Sequence, residues 1–279
     1  MAGGLYICAT PIGNLQDITL RVLEVLKQVD LILAEDTRHT RKLLNHFEIN
    51  TPLRSLHEHN EYEQIPALLA ELAGGASLAL VSDAGLPAVS DPGALLIQAA
   101  REQGYPVTVL PGASAVTTAL LLSGLSSGQG FSFIGFLPRT SKQRQDLLRT
   151  YAAFQHPVIC FESPHRLQSS LEDFEAVLGT REVAVCRELT KLHEEVIRFA
   201  LPELRAYFAH HPPRGELTLV IAPAPEQTEM LEVADAETVQ AAWRELQELG
   251  LDKRSVQESL QERFGLTRNE LYALLLNKG

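Results

Sequence analysis

Residues 77–116 read SLALVSDAGLPAVSDPGALLIQAAREQGYPVTVLPGASAV, and the fold is decided there. SLALVS is a short apolar run of the kind that forms a buried strand, PGALLIQAAREQG carries a helical apolar period closed by Gly104, and PVTVLP is a second β-rich run. Strand, helix and strand in that order make a crossover unit, with the two strands parallel and the helix laid over the sheet. The loop between strand and helix packs Gly85, Pro87, Pro92 and Gly93 around two Ser-Asp pairs. A dinucleotide site would need G-x-G-x-x-G opening a helix, and that spacing is missing.

Working outward, the same alternation fills residues 1–123. LYICAT and DLILAE are strand-like; ITLRVLEVLKQ, TRKLLNHF and IPALLAELAGG are helical; SAVTTALLLSGL is a buried helix. The expectation is an α/β domain with a mostly parallel sheet, with Gly13, Pro52, Pro66, Gly104 and Pro111 at element ends. SGLSSGQG is a Ser/Gly hinge that opens a second α/β domain over residues 124–224. Its strands FSFIGF, HPVICFE, EVAVCREL, EEVIRFA and LTLVIA include a consecutive pair with no helix between, which predicts a mixed sheet with antiparallel neighbours.

The polar stretch PAPEQTEMLEVAD (223–235) leads into a third segment, residues 225–279, read as a linker and a three-helix extension. Ser255 with Glu258 and Thr267 with Glu270 have capping-box spacing. Val256, Leu260 and Phe264 share a face, Gly265 marks a turn, and Leu271, Leu274 and Leu275 resume the pattern, as in a helix-turn-helix packing unit. The 6 basic and 11 acidic residues from Glu226 onward leave two readings open, a bundle docked on protein or a nucleic-acid contact.

The net charge of −11, from 24 basic and 35 acidic residues, excludes a protein held on nucleic acid by overall charge, because counterion release needs clustered cations. Two local clusters exist. RTSKQRQDLLR carries Arg139, Lys142, Arg144 and Arg149 against Asp146, and RHTRK adds Arg38, Arg41 and Lys42. No stretch approaches the roughly 18 apolar residues of a membrane span, and the first residues lack a basic leader, so the expected address is cytoplasmic. Cys8, Cys160 and Cys186 read as small buried hydrophobes, and His57 and His59 lack further ligands at matched spacing, so no metal is expected.

Four loops fall where strands end: TPIGN from Thr10, EDTRHTRKLL from Glu35, VSDAGLPAVSDPG from Val81 and LPGASA from Leu110. In an open parallel sheet the carboxyl ends of the strands form the ligand crevice. Singly, each loop has a local explanation, and Asp91-Pro92 reads as a capped helix start with a first-turn proline.

In combination, TPIGNLQDIT, AEDTRHTRKLL, VSDAGLPAVSDPG, VLPGASAV, GFLPR, FESPHRL, RELTKLHEE and GELTLV resemble the small-subunit ribosomal RNA ribose 2′-O-methyltransferases of the tetrapyrrole (corrin and porphyrin) methylase superfamily. The resemblance covers residues 5 to 222, and the helical tail also matches. It implies a two-domain tetrapyrrole-methylase-like α/β fold, with S-adenosylmethionine in the cleft between domains and a small C-terminal helical extension. It assigns Pro11, Ser82, Asp83, Ala84, Val89, Ser114 and Ala115 to the cofactor from the first domain. From the second it assigns Leu137, Leu189, Glu216 and Leu217. Porphyrin methylases carry a Gly-rich stretch where this chain has TPIGNLQDIT, which favours RNA over a tetrapyrrole.

The activity implied is methyl transfer to a cytidine ribose 2′-OH in the decoding region, on small-subunit ribosomal RNA or the 30S subunit, by a homodimer. A poor nucleophile of this kind calls for a general base or a cation beside the developing alkoxide. The candidates are Asp36, Arg38, Glu162, His165, Arg187, Glu188 and Lys191, with Arg41 and Arg166 beside them; each acid lies near a base, so loop-fastening ion pairs are the competing reading. Two other functions stay open, a tetrapyrrole-precursor C-methyltransferase of the same fold and a non-catalytic ribosome-associated cofactor-binding module.

Overall fold

The computed structural model describes residues 3–126, 128–225, 236–248, 252–264 and 266–276. Contacts gather the chain into two compact units, residues 1–224 and 225–279. The first unit holds two five-stranded sheets.

The first sheet comprises β1 (Gly4–Cys8), β2 (Leu31–Ala34), β3 (Leu53–Ser55), β4 (Ser77–Val81) and β5 (Val107–Leu110), in the order β3-β2-β4-β1-β5. All its pairings are parallel. β2 and β4 are buried along their whole length, which is why LILA and SLALV are unbroken small and apolar runs rather than alternating ones. Helices α1 (Leu20–Gln28), α2 (Thr37–His46), α3 (Glu61–Ala73) and α4 (Ala94–Glu102) connect these strands. They cover two apolar layers, one around Leu33, Leu68, Leu78 and Leu96, the other around Val22, Leu26, Ile32 and Leu44.

Pro66 departs from its expected place at an element end. It lies inside α3, because the helix begins upstream in the polar turn at Glu61; the missing N–H removes one helical bond.

The second sheet comprises β6 (Ser132–Phe136), β7 (Val158–Glu162), β8 (Glu182–Arg187), β9 (Glu195–Ala200) and β10 (Leu217–Ile221), in the order β6-β7-β10-β8-β9. Only β6 with β7 is parallel among these pairings, as the consecutive strands implied. Helices α6 (Ser141–Tyr151), α7 (Leu167–Leu178) and α8 (Leu201–His210) pack around Phe174 on one face. The other face receives α5 (Ala115–Ser123), which sets Val116, Ala119 and Leu120 against Ile159, Ala184 and Val220. α5 thus follows β5 of the first sheet but packs on the second, and Ile12 from the loop after β1 joins the same apolar layer.

In the second unit, α9 (Ala236–Glu248), α10 (Lys253–Phe264) and α11 (Arg268–Leu276) enclose Val239, Val256, Leu260, Phe264 and Leu271. Thr267 and Glu270 do form a capping box: the Glu270 carboxylate accepts from the Thr267 N–H at 2.8 Å. The start of α10 differs from expectation. Asp252, not Ser255, caps it, accepting from the N–H groups of Arg254 and Ser255 at 2.9 and 3.0 Å. Gly265, the Glu258 side chain and most of the proposed linker lie outside the described residues.

Candidate active site

The carboxyl edge of the first sheet brings its loops together. Thr10 donates through its N–H to the Gly85 carbonyl at 2.8 Å, and Gly85 returns the bond at 3.1 Å. The Thr10 hydroxyl also donates to the Ser82 carbonyl at 3.1 Å. At the next strand end, the Asp36 N–H donates to Asp83 Oδ1 at 3.2 Å.

The loop from Ser82 to Gly93 is wound into left-handed conformations, at Ala88 (φ 64°) and Ser90 (φ 74°) as well as at two glycines. For residues with a Cβ that conformation costs about 1–2 kcal/mol each. The Ala88 N–H closes the loop on the Pro92 carbonyl at 3.2 Å. Contrary to the sequence reading, Asp91 does not cap α4. Gly93 holds the N-cap position without a side-chain bond, and the Leu96 N–H is taken at 3.0 Å by the buried Glu61 carboxylate of α3. The Asp91 carboxylate is thereby left without a hydrogen-bond or ion-pair partner among the described residues.

The second sheet closes the other side. β6 shifts register between Phe133 and Phe136, and its Gly135 (φ 67°) passes so near the loop that a Cβ there would stand 3.2 Å from Ser90 Oγ. Glu188 Oε1 accepts from the Glu216 N–H at 3.0 Å and from Lys191 Nζ at 2.9 Å. Lys191 also reaches Glu216 Oε2 at 3.1 Å. The bond from Lys191 holds Glu188 below the usual carboxylate range. Burial opposes the Lys191 charge, but bonds to Glu188 and Glu216 outweigh it and raise its pKa. The Asn14 N–H donates to Thr190 Oγ1 at 3.0 Å, which joins the first loop to this one.

Between these loops lies a cavity of about 550 Å³. Its lining holds five carboxylates, Glu35, Asp83, Asp91, Glu162 and Glu216, and no Lys, Arg or His. Burial, then the charges of Glu35 and Asp83, push the Asp91 carboxyl up to about 7. Burial and the Asp83 charge also raise Glu35.

Of the residues singled out for a cofactor, Asp83, Ala84, Val89, Ser114, Ala115, Leu189, Glu216 and Leu217 line this cavity. Pro11, Ser82 and Leu137 are buried outside the lining; Leu137 uses its carbonyl to accept from Arg166 at 2.8 Å. Of the catalytic candidates only Glu162 lines the cavity. Its oxygens are engaged by the Ser163 N–H at 2.7 Å, the Ser170 hydroxyl at 2.5 Å and Arg166 at 3.3 Å. Asp36 caps α2 and pairs with Arg38, whose bonds hold its carboxyl far below the usual range. Arg187 pairs with Glu195 at 2.9 Å, and His165 is exposed.

Sequence reasoning missed Glu35, Asp91, Ile12 and the aromatic wall of Phe136 and Phe161. Glu35 was visible in principle as an acid ending an apolar strand. Asp91 was hidden by a capping role that it does not perform.

A parallel and a mixed α/β layer, with a carboxylate-lined cavity between loops of both sheets, define a two-lobed enzyme scaffold. The chain belongs to the tetrapyrrole (corrin/porphyrin) methylase family, whose model matches residues 4–205. It is 45% identical to a protein of Synechocystis named ribosomal RNA small subunit methyltransferase I, across 98% of both chains. A protein of the same name from Halalkalibacterium halodurans is 48% identical, over 83% of this chain and 80% of its own. Among solved structures, uroporphyrin-III C-methyltransferase of Thermus thermophilus in complex with S-adenosylhomocysteine superposes with a TM-score of 0.54. It is 18% identical, over 78% of this chain and 97% of its own, and so shares the fold.

Proposed function

We propose that this protein is an S-adenosylmethionine-dependent methyltransferase of small-subunit ribosomal RNA, acting on the ribose 2′-OH of a cytidine in the decoding region. The observation that carries the reading is the cavity with five carboxylates and no cation. Its volume lies within the range of small-molecule sites. Glu162 and Glu216 pair with Arg166 and Lys191, whereas Glu35, Asp83 and Asp91 have no ion-pair partner among the described residues. The negative charge of these three suits a ligand bearing a sulfonium and an ammonium, and repels phosphate-bearing cofactors. Asp83, Ala84, Val89, Ser114 and Ala115 would hold the methionine end, and Leu189, Glu216 and Leu217 the adenine and ribose. Pro11, Ser82 and Leu137 support that lining from behind. Residues 1–123 and 124–224 serve as the two lobes, with α5 of the first packed on the sheet of the second.

The bound cofactor supplies a methyl group on a positively charged sulfur, so the protein must present an oxygen in line with it and remove that oxygen's proton. Asp91 suits the second task. Six of the seven candidates read from sequence lie outside the lining and Glu162 is fully engaged, whereas Asp91 lines the cavity unpaired, with an affinity for protons matched to neutral solution. The cofactor, when bound, would supply the methyl group and keep the electron pair of its carbon–sulfur bond, and Asp91 would take up the hydroxyl proton. Glu162, Glu188 and Lys191 are positioning residues that hold the loops of the second sheet.

The same cavity separates RNA from the tetrapyrrole alternative. Tetrapyrrole precursors are polycarboxylates, which the carboxylates of Glu35, Asp83 and Asp91, without ion-pair partners among the described residues, disfavour. Phe136, 61% exposed at the cavity wall, offers a face on which an unstacked base can lie. In this reading the protein works in the cytoplasm on the 30S subunit. It is a homodimer, which would cover apolar side chains such as Leu121 and Leu122 of α5, now 74% and 45% exposed. Incubating it with methyl-labelled cofactor and undermethylated small subunits tests the proposal: label in the RNA supports it, and label only in porphyrinogen substrates supports the alternative.

A further inference from the structure

Of the two cationic clusters in the sequence, the structure spends much of one internally. Arg144 is buried against Asp173, its Nε donating at 2.7 Å, and Arg149 pairs with Asp146 at 2.7 Å. The other cluster stays open. Helix α2, TRHTRKLLNH, contains no acidic residue, and it buries Thr40, Leu43 and Leu44. Its opposite face therefore presents Arg38, Arg41, Lys42 and Asn45 in i, i+3, i+4, i+7 succession, all exposed. Arg38 is tied to Asp36, while Arg41 and Lys42 have no ion-pair partner among the described residues.

Position gives this face its meaning. Glu35, immediately before the helix cap, lines the cavity, and the Asp36 N–H is bonded to Asp83 of the same lining. The cationic strip thus starts at the cavity edge and runs outward for about 10 Å, from the helical rise per residue. A negative pocket that holds a cation and excludes phosphate, beside a positive strip that attracts phosphate, sorts a nucleotide substrate into two parts.

We propose that the outer face of α2, through Arg41 and Lys42 with Arg38 beside them, is the docking surface for the phosphodiester backbone of the substrate RNA. The inference rests on the RNA-methylating function proposed above. The strip fixes where the strand lies, and the cavity selects the ribose.

The test is steady-state methyl transfer to undermethylated small subunits by wild type, by Arg41→Glu/Lys42→Glu, and by a control with the same charge change, Lys27→Glu/Arg101→Glu. Lys27 and Arg101 sit in the last turns of α1 and α4, at the opposite edge of the sheet. The α2 variant should raise KM for subunits about tenfold or more near 0.1 M salt, and the log–log salt slope should flatten by about 1.4 for two lost contacts to single-stranded RNA. Its kcat and cofactor affinity should match wild type, and Arg41→Lys/Lys42→Arg should restore KM. An unchanged KM, the same rise in the control, or an equal loss of cofactor affinity overturns the inference while leaving the enzymatic reading intact. A wild-type protein that binds cofactor but does not methylate the subunit overturns both.

Discussion

The Asp36 N–H donates to the Asp83 carboxylate at 3.2 Å, which ties the start of α2 to the wall of the cavity. Asp83→Asn keeps an oxygen to accept that bond and removes the charge. It should weaken cofactor binding by about tenfold, near the 1.4 kcal/mol of one charge-assisted bond, with an unchanged melting temperature. Asp83→Ala should bind more weakly still and melt lower, because the Asp36 N–H loses its acceptor. Calorimetric titration with S-adenosylmethionine and thermal melts separate the two; equal affinities for all three proteins would contradict the assignment.

Asp91→Asn should lower kcat by about 10²- to 10⁴-fold, the usual contribution of a positioned base, with little change in cofactor affinity. In wild type, kcat should fall as the pH drops below about 7, the value to which burial, Glu35 and Asp83 raise this carboxyl. Glu162 and Glu216, the other two carboxylates of the cavity, are paired with Arg166 and Lys191. A carboxyl with a raised folded pKa binds a proton in the native state while the unfolded chain has already lost it. Its contribution to stability therefore declines from pH about 4 to about 7. Asp91 is only half-buried, so the decline is small. Melting temperatures of wild type and variant across that range should converge at low pH, with the variant higher above neutrality.

Arg144 and Asp173 are both nearly inaccessible, with side chains 5% and 7% exposed. Burial works to raise the Asp173 pKa, and bonds from Gln145, Ser141 and Arg144 overcome it and leave it lowered. Asp173→Ala leaves the guanidinium buried and uncompensated, which should cost about 3–5 kcal/mol in denaturant unfolding at pH 7. Because the folded pKa is depressed, the contribution of Asp173 is present above about pH 4 and lost as the pH falls through the folded value. The difference between wild type and variant should shrink on acidification.

Gly13 lies under the loop of the second sheet that carries Leu189. A Cβ at Gly13 would stand 2.5 Å from Lys191 Cγ and 2.8 Å from the Leu189 carbonyl oxygen. Gly13→Ala should push that loop from the cavity and weaken cofactor binding by more than about tenfold, consistent with the strain of overpacking. Affinity equal to wild type would show that the loop yields freely.

Strand and helix order was legible because burial leaves a strong apolar period. SLALV reads as a buried strand and LILA as a strand, and both are buried along their whole length. Leu53–Ser55 was not legible: three half-buried residues at a sheet edge have neither a run nor an alternation. The loops of the cavity were legible by their glycines, prolines and Ser-Asp pairs. The partner of each charge was not. Glu61, far along the chain, takes the helix N–H that Asp91 was expected to cap, and Asp173 withdraws Arg144 from the surface. Both depend on tertiary contacts that local spacing does not encode.

The most direct measurement is mass spectrometry of nucleosides from small-subunit ribosomal RNA of cells with and without this gene. Loss of one 2′-O-methylcytidine in the deletion strain is expected, restored by the wild-type gene and not by Asp91→Asn. An unchanged nucleoside profile would contradict the assignment to ribosomal RNA.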